Sequence, residues 1–312
     1  MTADSLTTIR VIAFPGAPNL PVFAAEAEGF FARQGLKLDF TATPNSVYQA
    51  EQLAAGAFDI AFTAFDNVVA YSEGQGAAKI TGDPGFCVIA GATQLELAVV
   101  VAPDVERFED LGNRSIALDA VNTGFAFVLY DMLEKHGIDP RTYPFAAVGA
   151  TPQRWQSVKS GEHVGTLTIE PFTSMAANDG FRVLMRSTDM YDAYQGGIIA
   201  SRRDWVSAHP ETVKAFIRAY LAGLDWTLDP ANREAAEALL LARMDAIKPQ
   251  AAKPVMKSLL SERSGLTPNA AILPEGMNTV LALRSRYGGG KALSGIERYL
   301  ALGPYDAVMA ER

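Results

Sequence analysis

Short apolar segments alternate with helical stretches along the first two thirds of the chain, and this alternation restricts the fold more than any other feature. The first apolar segment, 9–14, ends at Pro15 and Gly16 and is followed by a helical pattern from 21 to 34. Strands that alternate with helices at this spacing predict βαβ units and a parallel sheet. The sequence therefore predicts an α/β fold.

The same pattern continues further along the chain. The predicted strands are 36–41, 59–63, 79–81, 86–90, 97–102, 115–118, 144–148, 165–169 and 196–201, and the predicted helices are 47–55, 67–73, 125–135 and 153–160. Because the pattern restarts at Arg114, we expect a second lobe with the architecture of the first. Residues 205–312 are predicted to be mainly helical.

A chain of 312 residues exceeds the size at which a single hydrophobic core usually stops growing. We expect one lobe to comprise 1–98 together with 199–312, and the other to comprise 99–198. The chain then crosses twice between the lobes, and two crossings form a hinge that permits closure around a ligand. The sequence thus predicts a ligand cleft between two lobes.

Composition and charge exclude several classes of protein. The formal net charge of −8 argues against a nucleic-acid partner, because phosphate binding requires a basic surface. The longest apolar run, 97–102, is too short to span a bilayer. The segment MTADSLTTIRVIAF lacks the features of a secretory signal, which predicts either a cytoplasmic protein or a leader outside this sequence.

Four longer segments, in this order, fall within residues 9–226: GFFARQGLKLDF, LAAGAFDIAFTAFDNVVAY, FEDLGNRSIALDAVNTGFAFVLYDMLEKHGID and TPQRWQSVKSGEHVGTLTIEPF. They resemble the sulfonate-, nitrate- and thiamine-pyrimidine-precursor-binding proteins of bacterial ABC importers. The resemblance implies the type II periplasmic-binding-protein fold, in which a solute lies between two α/β lobes joined by a two-crossing hinge. It also implies a small-molecule ligand, an ABC permease as partner, a periplasmic location and a monomer without a cofactor.

Ligands of open α/β sheets bind beyond the carboxyl ends of the strands, so the loops there are the candidate binding segments. These loops are 14–19, 43–46, 63–67, 119–125 and 149–154. Each precedes a helix, whose N-terminal amide groups favour an anion or another hydrogen-bond acceptor. The predicted ligand-binding residues are Phe14, Asn19, Asn45, Phe65, Asp66, Asn122, Thr123, Gly124, Arg154, Trp155 and Glu170.

The polar residues of the second-lobe loop are the first choice for ligand contacts. Gly124 allows close approach of the backbone, and Asn122 and Thr123 offer donors to a ligand oxygen. The alternative for such residues is ordinary helix capping. We expect the aromatic rings of Phe14, Phe65 and Trp155 to contact a flat ligand, whereas most other aromatic residues of the chain should be buried in the core.

Charged residues near the loops indicate the chemistry of the ligand. Asp66 and Glu170 are predicted to face the cleft, which favours a ligand that donates hydrogen bonds over an anion. Their alternative roles are capping for Asp66 and pairing with an arginine for Glu170. Arg154 lies at a helix N-terminus, where a cation opposes the helix dipole, so we expect a ligand anion or Glu170 to hold it.

These patterns favour a solute-binding protein, and two other functions stay open. One is a cytoplasmic enzyme on the same fold, a lyase or hydrolase of an aromatic or heterocyclic compound, similar to the pyrimidine synthase and the aromatic desulfinase of the resembled family. Cys87, or Asp66 with Glu170, would then supply the chemistry, although a buried, inert thiol is the default for Cys87. The other is a cytoplasmic ligand sensor. No metal ligand and no catalytic motif is predicted.

Overall fold

The chain forms two five-stranded sheets in the computed structural model, which describes residues 6–312. The prediction made for the N-terminal segment falls partly on residues 1–5, outside the described residues. The elements up to the first crossing between the sheets are β1 (Thr7–Ala13), α1 (Leu20–Ala27), α2 (Phe30–Arg33), β2 (Leu36–Ala42), α3 (Ser46–Ala54), β3 (Ile60–Ala64), α4 (Phe65–Ser72) and β4 (Phe86–Thr93).

The second sheet and the C-terminal helices follow. The elements of the second sheet are β5 (Ala98–Val101), β6 (Ile116–Leu118), α5 (Gly124–Lys135), β7 (Phe145–Ala147), α6 (Thr151–Lys159), β8 (Gly165–Thr168), α7 (Phe172–Asn178) and β9 (Arg182–Arg186). The chain then returns through β10 (Gly197–Arg202), α8 (Arg203–Ala208), α9 (Pro210–Leu228), α10 (Arg233–Arg243), α11 (Pro249–Leu259), α12 (Pro274–Tyr287) and α13 (Gly303–Ala310).

Both sheets are mixed, so the prediction of parallel sheets is wrong for one strand in each. The strand orders are β2-β1-β3-β10-β4 and β7-β6-β8-β5-β9, and β10 and β5 run antiparallel to both of their neighbours. These are the two strands that follow a crossing. Because each crossing leaves one sheet at the carboxyl ends of its parallel strands and enters the other sheet there, the entering strand runs in the opposite direction.

The crossings lie at residues 94–97 and 187–196, between β4 and β5 and between β9 and β10. We call the part with the first sheet the first lobe and the part with the second sheet the second lobe. The predicted division after residues 98 and 198 lies beside these crossings and stays a prediction. The α/β fold with two lobes is confirmed.

Two local predictions are wrong. Residues 79–81 form a loop and not a strand, because Gly82 and Gly85 adopt left-handed φ angles of 75° and 69° and turn the chain before β4. The helix predicted over 21–34 is divided into α1 and α2 at Gly29, whose φ is 70°. The sequence pattern also missed α7 and β9.

Helix α12 is placed where it contacts both lobes, since it packs against α4 of the first and α5 of the second. Arg286 donates to Asp131 at 2.9 Å and also pairs with Glu134 on α5. The C-terminal segment thus reaches across the cleft. Within residues 6–312, no helix is long and apolar enough to cross a membrane.

Candidate functional site

A cavity lies between the two lobes and is partly open to solvent; the empty space inside it, together with the open solvent at its mouth, amounts to about 900 Å³. All five predicted loops contribute to its wall, together with residues 196–198 at the start of β10. Helices α3, α5 and α6 begin at this wall because the parallel strands before them end there. Clefts at the carboxyl ends of strands are the usual ligand sites of α/β proteins. Contact of these loops with a ligand stays a prediction.

Most of the cavity wall is apolar. The rings of Phe14, Phe62 and Phe125 line it, together with Leu118 and Ile198 among other aliphatic side chains. Aromatic rings stack or make edge contacts with flat ligands over distances that a cavity of this size allows. The wall therefore suits a compact molecule with an apolar, flat body.

Neutral polar side chains are distributed around this apolar wall. The Nδ2 of Asn19 donates to the Phe14 carbonyl at 2.8 Å, and the Nδ2 of Asn67 donates to Thr63 Oγ1 at 2.8 Å. Thr123 Oγ1 accepts from the backbone of α5 as an N-cap. Amide and hydroxyl groups have more than one bonding position each, so they keep capacity for a ligand.

Asp119 supplies the carboxylate of the cavity wall. It follows β6, is partly buried, and accepts from the backbone N–H of Ser46 at 3.1 and 3.2 Å. Ser46 is the first residue of α3 in the opposite lobe, and the residue is 4% exposed. The Ser46 Oγ has no hydrogen-bond partner among the described residues 6–312. These two residues join the lobes at the edge of the cavity.

Arg154 lines the cavity, yet its guanidinium is bonded mainly within the second lobe. Its Nε donates to Gly149 O at 2.9 Å, its Nη1 to Thr166 and Leu167, and its Nη2 to Thr151 Oγ1 at 2.8 Å. Burial lowers the pKa of this guanidinium to about 10, partly offset by the charge of Asp119. The prediction that Glu170 holds Arg154 is wrong, because hydroxyl and carbonyl oxygens hold it.

Asp66 does not face the cavity, so the prediction of a cleft carboxylate at this position is wrong. Its side chain is 1% exposed and forms a two-pronged ion pair with Arg284 of α12, with N to O distances of 2.5 and 2.6 Å. Asp66 Oδ2 also accepts from the Gly124 backbone at 2.6 Å, and Arg284 Nη2 donates to the Asn122 carbonyl at 3.0 Å. The pair therefore joins the first lobe and α12 to the start of α5.

Glu170, Phe65 and Trp155 also lie outside the cavity wall, against prediction. Glu170 accepts from the Oγ and backbone N of Ser174 at the start of α7, and burial raises the pKa of its carboxyl. Phe65 is fully buried against Tyr299, and Trp155 packs edge-on against the Phe181 ring at 4.7 Å. These three side chains stabilise the lobes and do not face the cleft.

The other predicted site residues divide into two groups. Five line the cavity, namely Phe14, Asn19, Thr123, Gly124 and Arg154. Two lie beside it: Asn45 caps α3 by accepting from Tyr48 N at 2.7 Å, and Asn122 is exposed and offers its carbonyl to Arg284. Their part in ligand binding stays a prediction.

Five further residues line the cavity although they are not among the predicted site residues: Ser46, Thr63, Asn67, Asp119 and Thr151. Each lies within a loop that had been selected. Asp119 is the first residue after a predicted strand, and this position alone signals a side chain at the carboxyl edge of the sheet. If each residue that directly follows a predicted strand is taken as a candidate, Asp119 is identified as the carboxylate of the cleft.

Cys87, the only cysteine of the chain, lies in β4 and not in the cavity wall. It is fully buried, and desolvation raises the pKa of its thiol to about 11. Since the pH of an ordinary assay lies well below this pKa, roughly one thiol in a thousand is ionised at pH 8.

We therefore expect Cys87 of the native protein to resist a maleimide at pH 8. One label per chain is expected once guanidinium chloride unfolds the protein, as counted by intact-protein mass spectrometry. Rapid labelling of the folded protein contradicts this assignment and restores Cys87 as a candidate nucleophile.

Two lobes, a double crossing and an interlobe cavity together define a periplasmic-binding-protein fold, and solved structures agree. A protein of Bordetella bronchiseptica RB50 is similar with a TM-score of 0.79 and 20% identity, over 98% of both chains. The nitrate-binding protein NrtA from Synechocystis PCC 6803 has a TM-score of 0.77 and 15% identity, over 98% of this chain and 86% of that one. The alkanesulfonate-binding protein SsuA from Xanthomonas axonopodis pv. citri, bound to MOPS, has a TM-score of 0.73 and 15% identity, over 96% and 97%.

Sequence comparison gives the family. The model of the family described as NMT1/THI5 like matches residues 18–233, which is more than half of the chain. This chain belongs to the NMT1/THI5-like family. A search of curated protein sequences gave no match.

Proposed function

We propose that this chain is a solute-binding protein that captures a small, flat, polar molecule between its lobes for an ABC importer. The observation that carries the proposal is the cavity between the lobes, beside which the two lobes are joined by direct hydrogen bonds. Ala17 N donates to Glu170 O at 3.0 Å, and Ala150 N donates to Pro44 O at 2.9 Å. A molecule in this cavity is therefore held by both lobes, as ligand-driven closure about a hinge requires.

The family and the fold neighbours support the importer role. Two of the neighbours are named for binding alkanesulfonate and nitrate, and another, from Staphylococcus aureus, is named as the ligand-binding component of an ABC-type import system. An ABC permease as partner, a periplasmic location and a monomeric state belong to this proposal. A cytoplasmic location is the alternative.

Chemical turnover of the ligand is the second function to be tested, although the side chains predicted to carry it out are engaged in other contacts. Asp66 is paired with Arg284, Glu170 is bonded to Ser174, and Cys87 is buried in β4. These groups do not line the cavity. The arrangement supports capture of a ligand without its conversion.

A solute panel with three readouts tests the proposal. We expect at least one amine, amide, aminopyrimidine, aromatic acid, sulfonate or oxyanion to raise the unfolding midpoint, by linkage to the native state. The same solute should reduce the radius of gyration in small-angle X-ray scattering and be recovered unchanged by mass spectrometry after overnight incubation. A solute that is consumed points to the enzyme, and a panel that leaves the scattering curve unchanged contradicts closure.

A matched pair of variants locates the binding in the cavity. Ala64 lines the cavity at the start of α4, so the ring introduced by Ala64→Phe occupies ligand space. We expect this variant to lose about fivefold to a hundredfold in affinity, since overpacking costs about 1–3 kcal/mol. Ala208→Phe places the same ring at an exposed helix end and should leave the affinity unchanged. Equal affinities in the two variants contradict binding in this cavity.

A further inference from the structure

Two of the helices that begin at the cavity, α3 and α5, each have an N-terminal amide group bonded to a carboxylate of this chain. Asp119 accepts from Ser46 N at the start of α3, and Asp66 accepts from Gly124 N at the start of α5. Helix N-termini are the positions where α/β proteins hold anions, because free N–H groups and the helix dipole meet there. In this chain the anions are already present as side chains.

Asp119 keeps most of its accepting capacity for the cavity. Both of its oxygens share the single N–H of Ser46, and no other hydrogen bond to them is found among residues 6–312. An ionised carboxylate offers about four lone-pair positions and no donor. The remaining positions of this cavity-lining carboxylate require a donor from the ligand or from water.

Ser46 adds an independent polar atom at the same place. Its residue is 4% exposed and lines the cavity, and its Oγ is unpartnered within residues 6–312. A buried hydroxyl without a partner has lost the hydrogen bonds that it makes in water, and a bond to a ligand recovers them. Asp119 and Ser46 therefore form one polar edge of an otherwise apolar cavity.

Arg154 does not make the cavity an anion-binding site. A guanidinium has five N–H groups, and the chain uses four of those of Arg154 on Gly149, Thr166, Leu167 and Thr151. An anion that entered the cavity would therefore meet only one spare N–H of Arg154, together with the negative charge of Asp119. Repulsion by a like charge in a desolvated site disfavours such a ligand.

We infer that Asp119 determines the specificity of the cavity, which selects a flat, uncharged or cationic molecule with N–H donors, such as an amide, amidine or amine, over an anion. This inference rests on the proposed function and deepens it. The donor edge of the ligand lies against Asp119 and Ser46, and its ring lies between Phe14, Phe62 and Phe125. The ligand then differs in charge from the alkanesulfonate and nitrate after which two fold neighbours are named.

Three probes of nearly equal shape test this inference: benzamide, benzoate and benzenesulfonate. We expect benzamide to bind the wild-type chain at least about tenfold more tightly than either anion, as measured by titration with ligand-observed NMR. Asp119→Asn removes the charge and introduces N–H donors, so the ratio of benzamide to benzoate affinity should fall about tenfold or more. Because an effect of the variant on closure changes the affinity for both probes, the ratio of benzamide to benzoate affinity reports on the charge of residue 119.

Asp139→Asn is the control, because Asp139 is a second-lobe carboxylate outside the cavity wall that bonds only Arg141 side-chain and nearby backbone groups among the described residues. It should leave the ratio unchanged. Anions that bind as tightly as benzamide, a benzamide that does not bind, or an unchanged ratio in Asp119→Asn overturns the inference. Closure around an anion refutes only the ligand class, whereas failure of the whole solute panel to close the lobes refutes the proposed function.

Discussion

Arg284→Met is expected to lower the free energy of unfolding by about 3–5 kcal/mol, because it leaves the carboxylate of Asp66 buried without its partner. Both side chains of this pair are 1% exposed. The guanidinium also donates to Gln75 and Asn122 and lies 4.9 Å from the centre of the Phe127 ring. Methionine retains part of the packing, so most of the decrease in the free energy of unfolding is due to the lost charge and the lost hydrogen bonds. Urea unfolding followed by circular dichroism measures it.

The control lies two residues further along the same helix. Arg286 bonds to Asp131 and Glu134, but its side chain is 58% exposed. Ion pairs in contact with solvent contribute about 0–1 kcal/mol, so Arg286→Met should have a small effect. Adding Asp66→Asn to Arg284→Met removes the stranded charge, and the double variant should therefore lose less than the sum of the single variants. Equal losses in Arg284→Met and Arg286→Met contradict the importance assigned to the buried pair.

Gly124→Ala is expected to prevent full closure and to reduce ligand affinity about tenfold to a hundredfold. A Cβ at this position would lie 2.4 Å from Asp66 Cβ and 2.5 Å from Asp66 Cγ, which belong to the opposite lobe. Gly124 has no left-handed φ angle, so the local backbone accepts alanine at the start of α5. We therefore expect the clash to arise only when the lobes meet.

Scattering measurements separate this effect from a local loss of contact. With a ligand that closes the wild-type chain, the radius of gyration of Gly124→Ala should remain near its ligand-free value. Gly303→Ala is the matched control, because Gly303 also begins a helix and a Cβ there meets nothing within 4 Å. A Gly124→Ala chain that closes normally contradicts the geometry of the Asp66 contact.

Strand β2 was predictable because a glycine bounds its apolar run. Gly35 has a φ of 70°, which only glycine adopts readily, and the predicted strand 36–41 corresponds to β2. Helix α7 was missed because FTSMAAN is short and carries weak periodicity. Its absence from the prediction explains the error at Glu170, whose carboxylate bonds to the first turn of that helix.

The candidate site was predictable at the level of loops and less so at the level of side chains. A strand end fixes where a loop lies, but the direction of a side chain depends on partners that are distant in sequence. Asp66 shows this most clearly, because its partner Arg284 is 218 residues away. Trp155 and Arg154 are neighbours on α6, yet only Arg154 reaches the cavity wall. No local pattern distinguishes such positions.

The position of β10 between β3 and β4 has a consequence for the order in which the two lobes are completed during synthesis. All strands of the second sheet lie within residues 98–186, so the ribosome delivers that sheet as one continuous piece. The first sheet lacks an inner strand until residue 202 has emerged, and Asp66 has no ion-pair partner until Arg284 has been synthesised. The first lobe is therefore completed after the second lobe, although domains generally fold from the N-terminus onward.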